Sequence, residues 1–207
     1  MRFQESFRLK ILYVHGLSSS GSSSTAQRIR TLLPKAIVYS PDLPIEPDEA
    51  VALLREIADK QHIDIVIGIS MGGMFAQKLF GYPKIMVNPS FHVSQTMRKR
   101  IGMNSFFSER ENGEKEYQIT EELCDKYERM EREQFKNMTE KERQLSVGVF
   151  GTQDDTVNCL EEYRQHYRIV KTFEGGHRLT EENIRQVILP LIKEMTADYF
   201  DDENHIK

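Results

Sequence analysis

Runs of isoleucine, valine and leucine recur along this chain, and between them lie stretches whose apolar residues return every three or four positions. The runs read as strands near 10–15, 36–39 (short and buried), 63–69, 84–88, 145–151 and 168–173. The stretches between read as helices. Ser22 to Ser24 can cap one through about Leu33, which Pro34 stops. Asp48 opens a second, with Val51, Leu54 and Ala58 on one face, widened by Leu53 and Ile57. Met74 to Phe80 follows the third strand as a helix, and Thr180 to about Met195 is the last one. Asp198 to Lys207 is polar and should fray. Strictly alternating strands and helices predict an α/β fold: a mostly parallel sheet of about six strands with helices on both faces.

Residues 90–143 break this rhythm. The stretch is dense in charge, and Ile119, Leu123, Tyr127 and Met130 recur at helical spacing with no strand pattern among them. A structureless loop of this length is improbable in a compact domain. The segment is therefore expected to be a helical lid of two or three helices, inserted between the fourth and fifth strands and loosely held through few buried contacts. Phe91, His92, Phe106 and Phe107 are its candidates for facing a pocket, or for anchoring the lid to the body. Its acids and bases at 109–143 fit a solvated helix face with i,i+4 pairs.

At 207 residues, 39% hydrophobic and 29% charged, the chain has the size and balance of one domain spanning 1–207. A net charge of −4, no tryptophan and no basic stripe argue against a nucleic-acid partner. No apolar stretch has the length of a membrane span, and the first residues lack a signal-peptide core. Cys124 and Cys159 are far apart in sequence, so they make neither a disulfide framework nor a metal cluster, and a reducing cytoplasm is the natural expectation.

The chemistry lies at the strand ends. The third run closes in Gly68-Ile69-Ser70-Met71-Gly72-Gly73, a G-x-S-x-G turn from strand into helix. Glycines two positions before and after the turning residue let the backbone bend sharply and expose the Ser70 hydroxyl. A serine hydroxyl is a weak nucleophile and needs a base, which in turn needs an orienting group. The fifth run leads into Asp154 and Asp155, and the sixth into Gly175-Gly176-His177. Each falls past the carboxyl end of a strand, where open α/β sheets build their sites. Only one of the adjacent acids can point at His177. Asp154, three residues after Gly151 and three before Val157, has the favoured spacing. His15 reads as a structural histidine beside the first strand and a further candidate for the pocket, and His62, His166 and His205 as surface residues without ligand spacing. The serine run at 18–24 lacks the lysine of a phosphate-binding loop.

The order Ser70, Asp154, His177, together with Tyr13 to Leu17, the serine-rich turn Ser18 to Ser24, Pro41 to Pro44 and Gly68 to Gly73, resembles the α/β-hydrolase superfamily, and in detail the small bacterial YqiA-like esterases. That resemblance implies a Ser-His-Asp triad with no metal and no organic cofactor. It also implies an oxyanion hole from the backbone amides of Leu17 and Met71, with His15 holding the first of these loops. The expected substrate is a small-molecule ester. A thioester cleaved by the same triad, and a non-catalytic protein that keeps the fold for binding, are the alternatives.

Overall fold

A computed structural model describes residues 8–197; the frayed tail expected at Asp198–Lys207, with His205, lies outside the described residues. Six strands form one sheet: β1 (Lys10–Val14), β2 (Ile37–Tyr39), β3 (Ile65–Ile69), β4 (Lys84–Val87), then β7 (Ser146–Gly151) and β8 (Ile169–Phe173). Their order across the sheet is β2-β1-β3-β4-β7-β8, and every neighbouring pair is parallel. Parallel neighbours need crossovers, and helices supply them: α1 (Ser24–Leu32), α2 (Pro47–Gln61), α3 (Met71–Ala76) and α7 (Leu160–His166). A last helix, α8, runs from Glu181–Asn183 through a π-helical turn at Ile184–Ile188 to Leu189–Met195.

Side chains alternate between the two faces of each strand. Leu12, Val14, Val66, Met86 and Phe150 face one core, packed with Leu54, Ala58, Phe75 and Tyr163 from the helices. Ile11, Tyr13, Ile65, Ile67, Val147 and Val149 face the other, under Ala26 and Ile29 of α1 and Ile184, Ile188 and Ile192 of α8. The sheet is thus covered on both sides. Strand β2, expected to be buried, is a half-buried sheet edge, because only β1 pairs with it. Helix α3 starts at Met71, a turn earlier than expected at Met74; the glycine pair at 72–73 is drawn into the helix rather than preceding it.

The insertion corrects two expectations. It carries α4 (Val93–Arg98), α5 (Glu121–Arg132) and α6 (Glu140–Gln144), but also an antiparallel hairpin of β5 (Gly102–Ser105) and β6 (Glu116–Ile119). Each hairpin strand has four residues, and only Tyr117 and Ile119 are buried, too short an alternation to read from sequence. Nor are buried contacts few. Phe91, Val93, Met97, Leu123, Cys124 and Tyr127 belong to the main core, and the buried Glu131 carboxylate accepts from the N–H and Oγ of Ser94 at 2.7 and 2.5 Å. Among the described residues no helix is long and apolar enough to cross a membrane.

Candidate active site

Ser70 stands between β3 and α3 with φ 56° and ψ −121°, a left-handed conformation rarely adopted by a side chain-bearing residue. Close approach on both sides holds it there. A Cβ at Gly68 would stand 2.3 Å from the Gly72 carbonyl oxygen, and one at Gly72 would stand 2.1 Å from that of Val14. Only glycine lets strand, turn and helix come so near. The Ser70 N–H donates to Val87 O at 3.0 Å, and its carbonyl accepts from the N–H groups of Gly73 (2.8 Å) and Ser90 (3.0 Å). The turn's backbone is fixed, and Ser70 lines a cavity of about 860 Å³.

The acid and base meet at the same end of the sheet. Asp154 follows β7 and His177 follows β8, and the His177 Nδ1–H donates to Asp154 Oδ2 at 2.8 Å. The other oxygen, Oδ1, accepts from the N–H groups of Thr156 (2.9 Å) and Val157 (3.1 Å), which locks the carboxylate's direction. The Asp154 side chain is 4% exposed and His177 is 21% exposed, so the pair is shielded on the acid side and open on the imidazole side. Asp155 is exposed, with its Oδ1 near the Thr156 hydroxyl. His177 lines the cavity that holds Ser70.

Leu17 and Met71 line this cavity too. Met71 is the first residue of α3, so its N–H has no partner in the helix's own ladder. The loop carrying Leu17 passes against the turn: a Cβ on Gly16 would lie 3.2 Å from Ser70 Cβ and 3.8 Å from its Oγ. His15, a pocket candidate in the sequence, is 3% exposed and does not line the cavity. Its Nδ1–H donates to Gly16 O at 2.9 Å and its Nε2 accepts from the Leu43 N–H at 3.1 Å. Burial, the largest cause, pushes its pKa down to about 4, so the ring is a neutral strut. Asp42 braces the same region, accepting from the N–H groups of Gly21 and Glu111, each at 2.7 Å.

Of the pocket candidates from the insertion, only Phe107 lines the cavity, at its rim and 64% exposed. Its N–H donates to Ser18 O at 2.7 Å. Phe91 is fully buried, edge-on to Phe135 at 5.1 Å. His92 is exposed and its Nε2 bonds Glu162 at 2.7 Å, away from the cavity. Phe106 packs on Tyr117, 4.6 Å between centroids, with the Arg110 guanidinium over its ring. Aromatic residues near a site signal packing as often as recognition, and sequence does not say which face they take.

Sequence reasoning missed Asn88, which follows β4 and is 1% exposed with φ 42°. Its Oδ1 accepts from the Gly151 N–H at 2.8 Å, and its Nδ2 donates to the carbonyls of Gly176 (3.3 Å) and His177 (3.1 Å). One side chain therefore ties the end of the acid's strand to the histidine loop. The only hint in the sequence was a polar residue before Pro89 at the end of an apolar run.

The model of the Uncharacterised protein family UPF0227 matches residues 10–193. The chain belongs to that family. Comparison with curated proteins finds no match. Among solved structures, the N-acyl homoserine lactonase AidH complexed with N-butanoyl homoserine is 17% identical with a TM-score of 0.55, covering 93% of this chain and 91% of that one. A structure from work on the metagenome-derived lipolytic enzymes LipS and LipT is 12% identical with a TM-score of 0.61, covering 95% of each chain. The mouse alpha/beta hydrolase domain-containing protein 10 is 13% identical with a TM-score of 0.60, covering 91% and 90%. At such identities the likeness establishes the fold, and the fold is that of the α/β-hydrolases. Among the described residues, no three His, Cys, Asp or Glu side chains are grouped so as to hold a metal ion.

Proposed function

We propose that this protein is a serine hydrolase that cleaves a carboxylic ester of a small to medium-sized substrate. The observation that carries the reading is the Asp154–His177 pair, 2.8 Å apart, with its imidazole on the same cavity as a serine held in left-handed backbone geometry. Nδ1–H bonded to a carboxylate leaves Nε2 as the lone-pair nitrogen. That nitrogen takes the Ser70 proton as Oγ attacks the ester carbonyl. The tetrahedral oxygen then receives hydrogen bonds from the amides of Leu17 and Met71, and one such donor is typically worth ~3 kcal/mol of barrier. The imidazolium, stabilised by Asp154, protonates the departing alkoxide; water, activated the same way, releases the acid and restores Ser70. Similar structures named as a lactonase and as lipolytic enzymes act on acyl–oxygen bonds, which supports ester chemistry for this site.

A fluorophosphonate probe tests the reading, because it phosphonylates only an activated serine. One label per chain, at Ser70 and lost in Ser70→Ala, is expected. A folded protein that takes no label is a binding protein with a spent site, and the proposal fails.

A further inference from the structure

The Arg, Lys, His, Asp and Glu side chains lining the cavity beside Ser70 are Arg28, Arg100, His177, Arg178 and Glu181. The three arginines reach this one cavity from separate places: α1, the loop after α4, and the position next to His177. Each is held by a neutral group. Arg28 Nη1 donates to Leu179 O at 3.0 Å, Arg100 Nε donates to Asn104 Oδ1 at 3.1 Å, and the Arg178 guanidinium lies 5.8 Å from the centre of the Phe107 ring. Among the described residues none of the three is paired with a carboxylate, whereas the lone acid of the lining, Glu181, is bonded to Arg185 at 2.8 Å. The wall therefore carries uncompensated positive charge in a chain whose net charge is −4.

Such a local excess, against the sign of the whole molecule, needs an account. A guanidinium stays charged at every working pH and has five N–H groups in a fixed fork. One hydrogen bond to a carbonyl or amide leaves most of that fork unused and none of its charge neutralised. A cleft lined by one sign of charge focuses its field on an incoming ion of the other sign. An apolar acyl chain gains nothing from this arrangement, but a carboxylate or phosphate does, through charge-assisted hydrogen bonds.

We propose that the substrate is an ester bearing an anionic group, a carboxylate or a phosphate, which Arg28, Arg100 and Arg178 hold while the ester carbonyl lies at Ser70. This rests on the esterase reading of Ser70. The arginines bind the remote end of the substrate and take no part in the proton transfers.

Matched esters test it. On the alcohol side, 4-acetoxybenzoate and 4-acetoxyphenyl phosphate are compared with neutral 4-acetoxybenzamide. On the acyl side, p-nitrophenyl hydrogen adipate is compared with p-nitrophenyl heptanoate. At least one anionic member should exceed its neutral partner in kcat/KM by about tenfold or more, the effect of one charge-assisted hydrogen bond. The member preferred shows whether carboxylate or phosphate is the fit. High salt, and each of Arg28→Gln, Arg100→Gln and Arg178→Gln, should shrink the ratio; because the ratio is taken within each variant, a partly damaged variant still reports. Anionic ratios at or below one in the parent overturn the proposal. Calorimetry on Ser70→Ala with the same uncleaved esters separates the two readings. Preferential binding of the anionic esters by a protein that hydrolyses none of them would uphold the anion site and sink the esterase. Hydrolysis with no preference in rate or binding would do the reverse.

Discussion

The side-chain amide of Asn88 donates to the carbonyl oxygen of His177 at 3.1 Å, while its own oxygen holds the Gly151 N–H at 2.8 Å. This joins the proposed base to the strand that delivers the proposed acid. Asn88→Asp keeps the shape and the acceptor but points an oxygen at two carbonyls, those of Gly176 and His177. The loop must move away. Turnover should fall by up to about 100-fold, as small displacements of catalytic groups do, with KM changed much less. A loss confined to thermal stability, with kcat of the folded fraction unchanged, would leave Asn88 a structural residue only.

Asp154 and Asp155 differ in direction rather than chemistry. Asp154→Asn retains the oxygen that accepts from Thr156 and Val157 but removes the carboxylate from His177. Ester turnover should drop by several orders of magnitude, ~10⁴ in the best-studied triad. Asp155→Asn should stay within a few-fold of the parent, since its side chain faces solvent. Steady-state rates on one p-nitrophenyl ester decide it; a dead Asp155→Asn would reverse the roles.

His15 makes stability depend on pH. Burial lowers its pKa from 6.5 to about 4 on folding, so the unfolded chain takes up the proton first. The contribution of the neutral ring is complete above pH 6.5 and is lost as the pH falls from there toward 4. From about pH 7 to about pH 5, urea stability of the parent should fall by about 2 kcal/mol more than that of His15→Gln. Parallel losses in the two proteins would rule this out.

Lys84 and Glu142 form a buried pair, 2.6 Å apart and 1% and 7% exposed at their side chains. Glu142 also accepts from the Gly81 N–H at 2.6 Å, and Lys84 donates to Tyr82 O at 3.0 Å. Lys84→Met strands the carboxylate, which should cost about 3–5 kcal/mol. Adding Glu142→Gln removes the charge but keeps the bond to Gly81, so the double variant should recover much of that loss. Urea midpoints of the three proteins measure the effect; a double variant no better than Lys84→Met would exclude an electrostatic origin.

The central sheet strands were legible because buried parallel strands are written as apolar runs such as Ile65–Ile69 and Ile85–Val87, and the edge strands β2 and β8 keep shorter apolar cores. The hairpin Gly102–Ser105 with Glu116–Ile119 was not, since its polar, four-residue strands owe their form to pairing rather than composition. At the site, residues with distinctive chemistry next to glycine were readable: Ser70, and His177 after its glycine pair. Asn88 and the three arginines were invisible for the opposite reason. Asparagine after a strand reads as a turn, arginine on a helix or loop reads as surface, and only the packing of distant segments gives them a shared address. Phe91 failed in a third way: its size announced burial but not the side of the sheet on which burial would occur.

Strand β8 is the outermost strand of its side of the sheet, and the loop carrying His177 follows it. During synthesis the ribosome releases the Ser70 turn and the Gly16 loop more than a hundred residues before that imidazole. Strands β1, β3 and β4, which frame the turn, all precede β8 in the chain, and without the imidazole the Ser70 hydroxyl has the inertness of any free serine. In the proposed triad the base arrives last: until the final strand pairs with β7, the chain has its serine without its imidazole, and a half-made protein is latent.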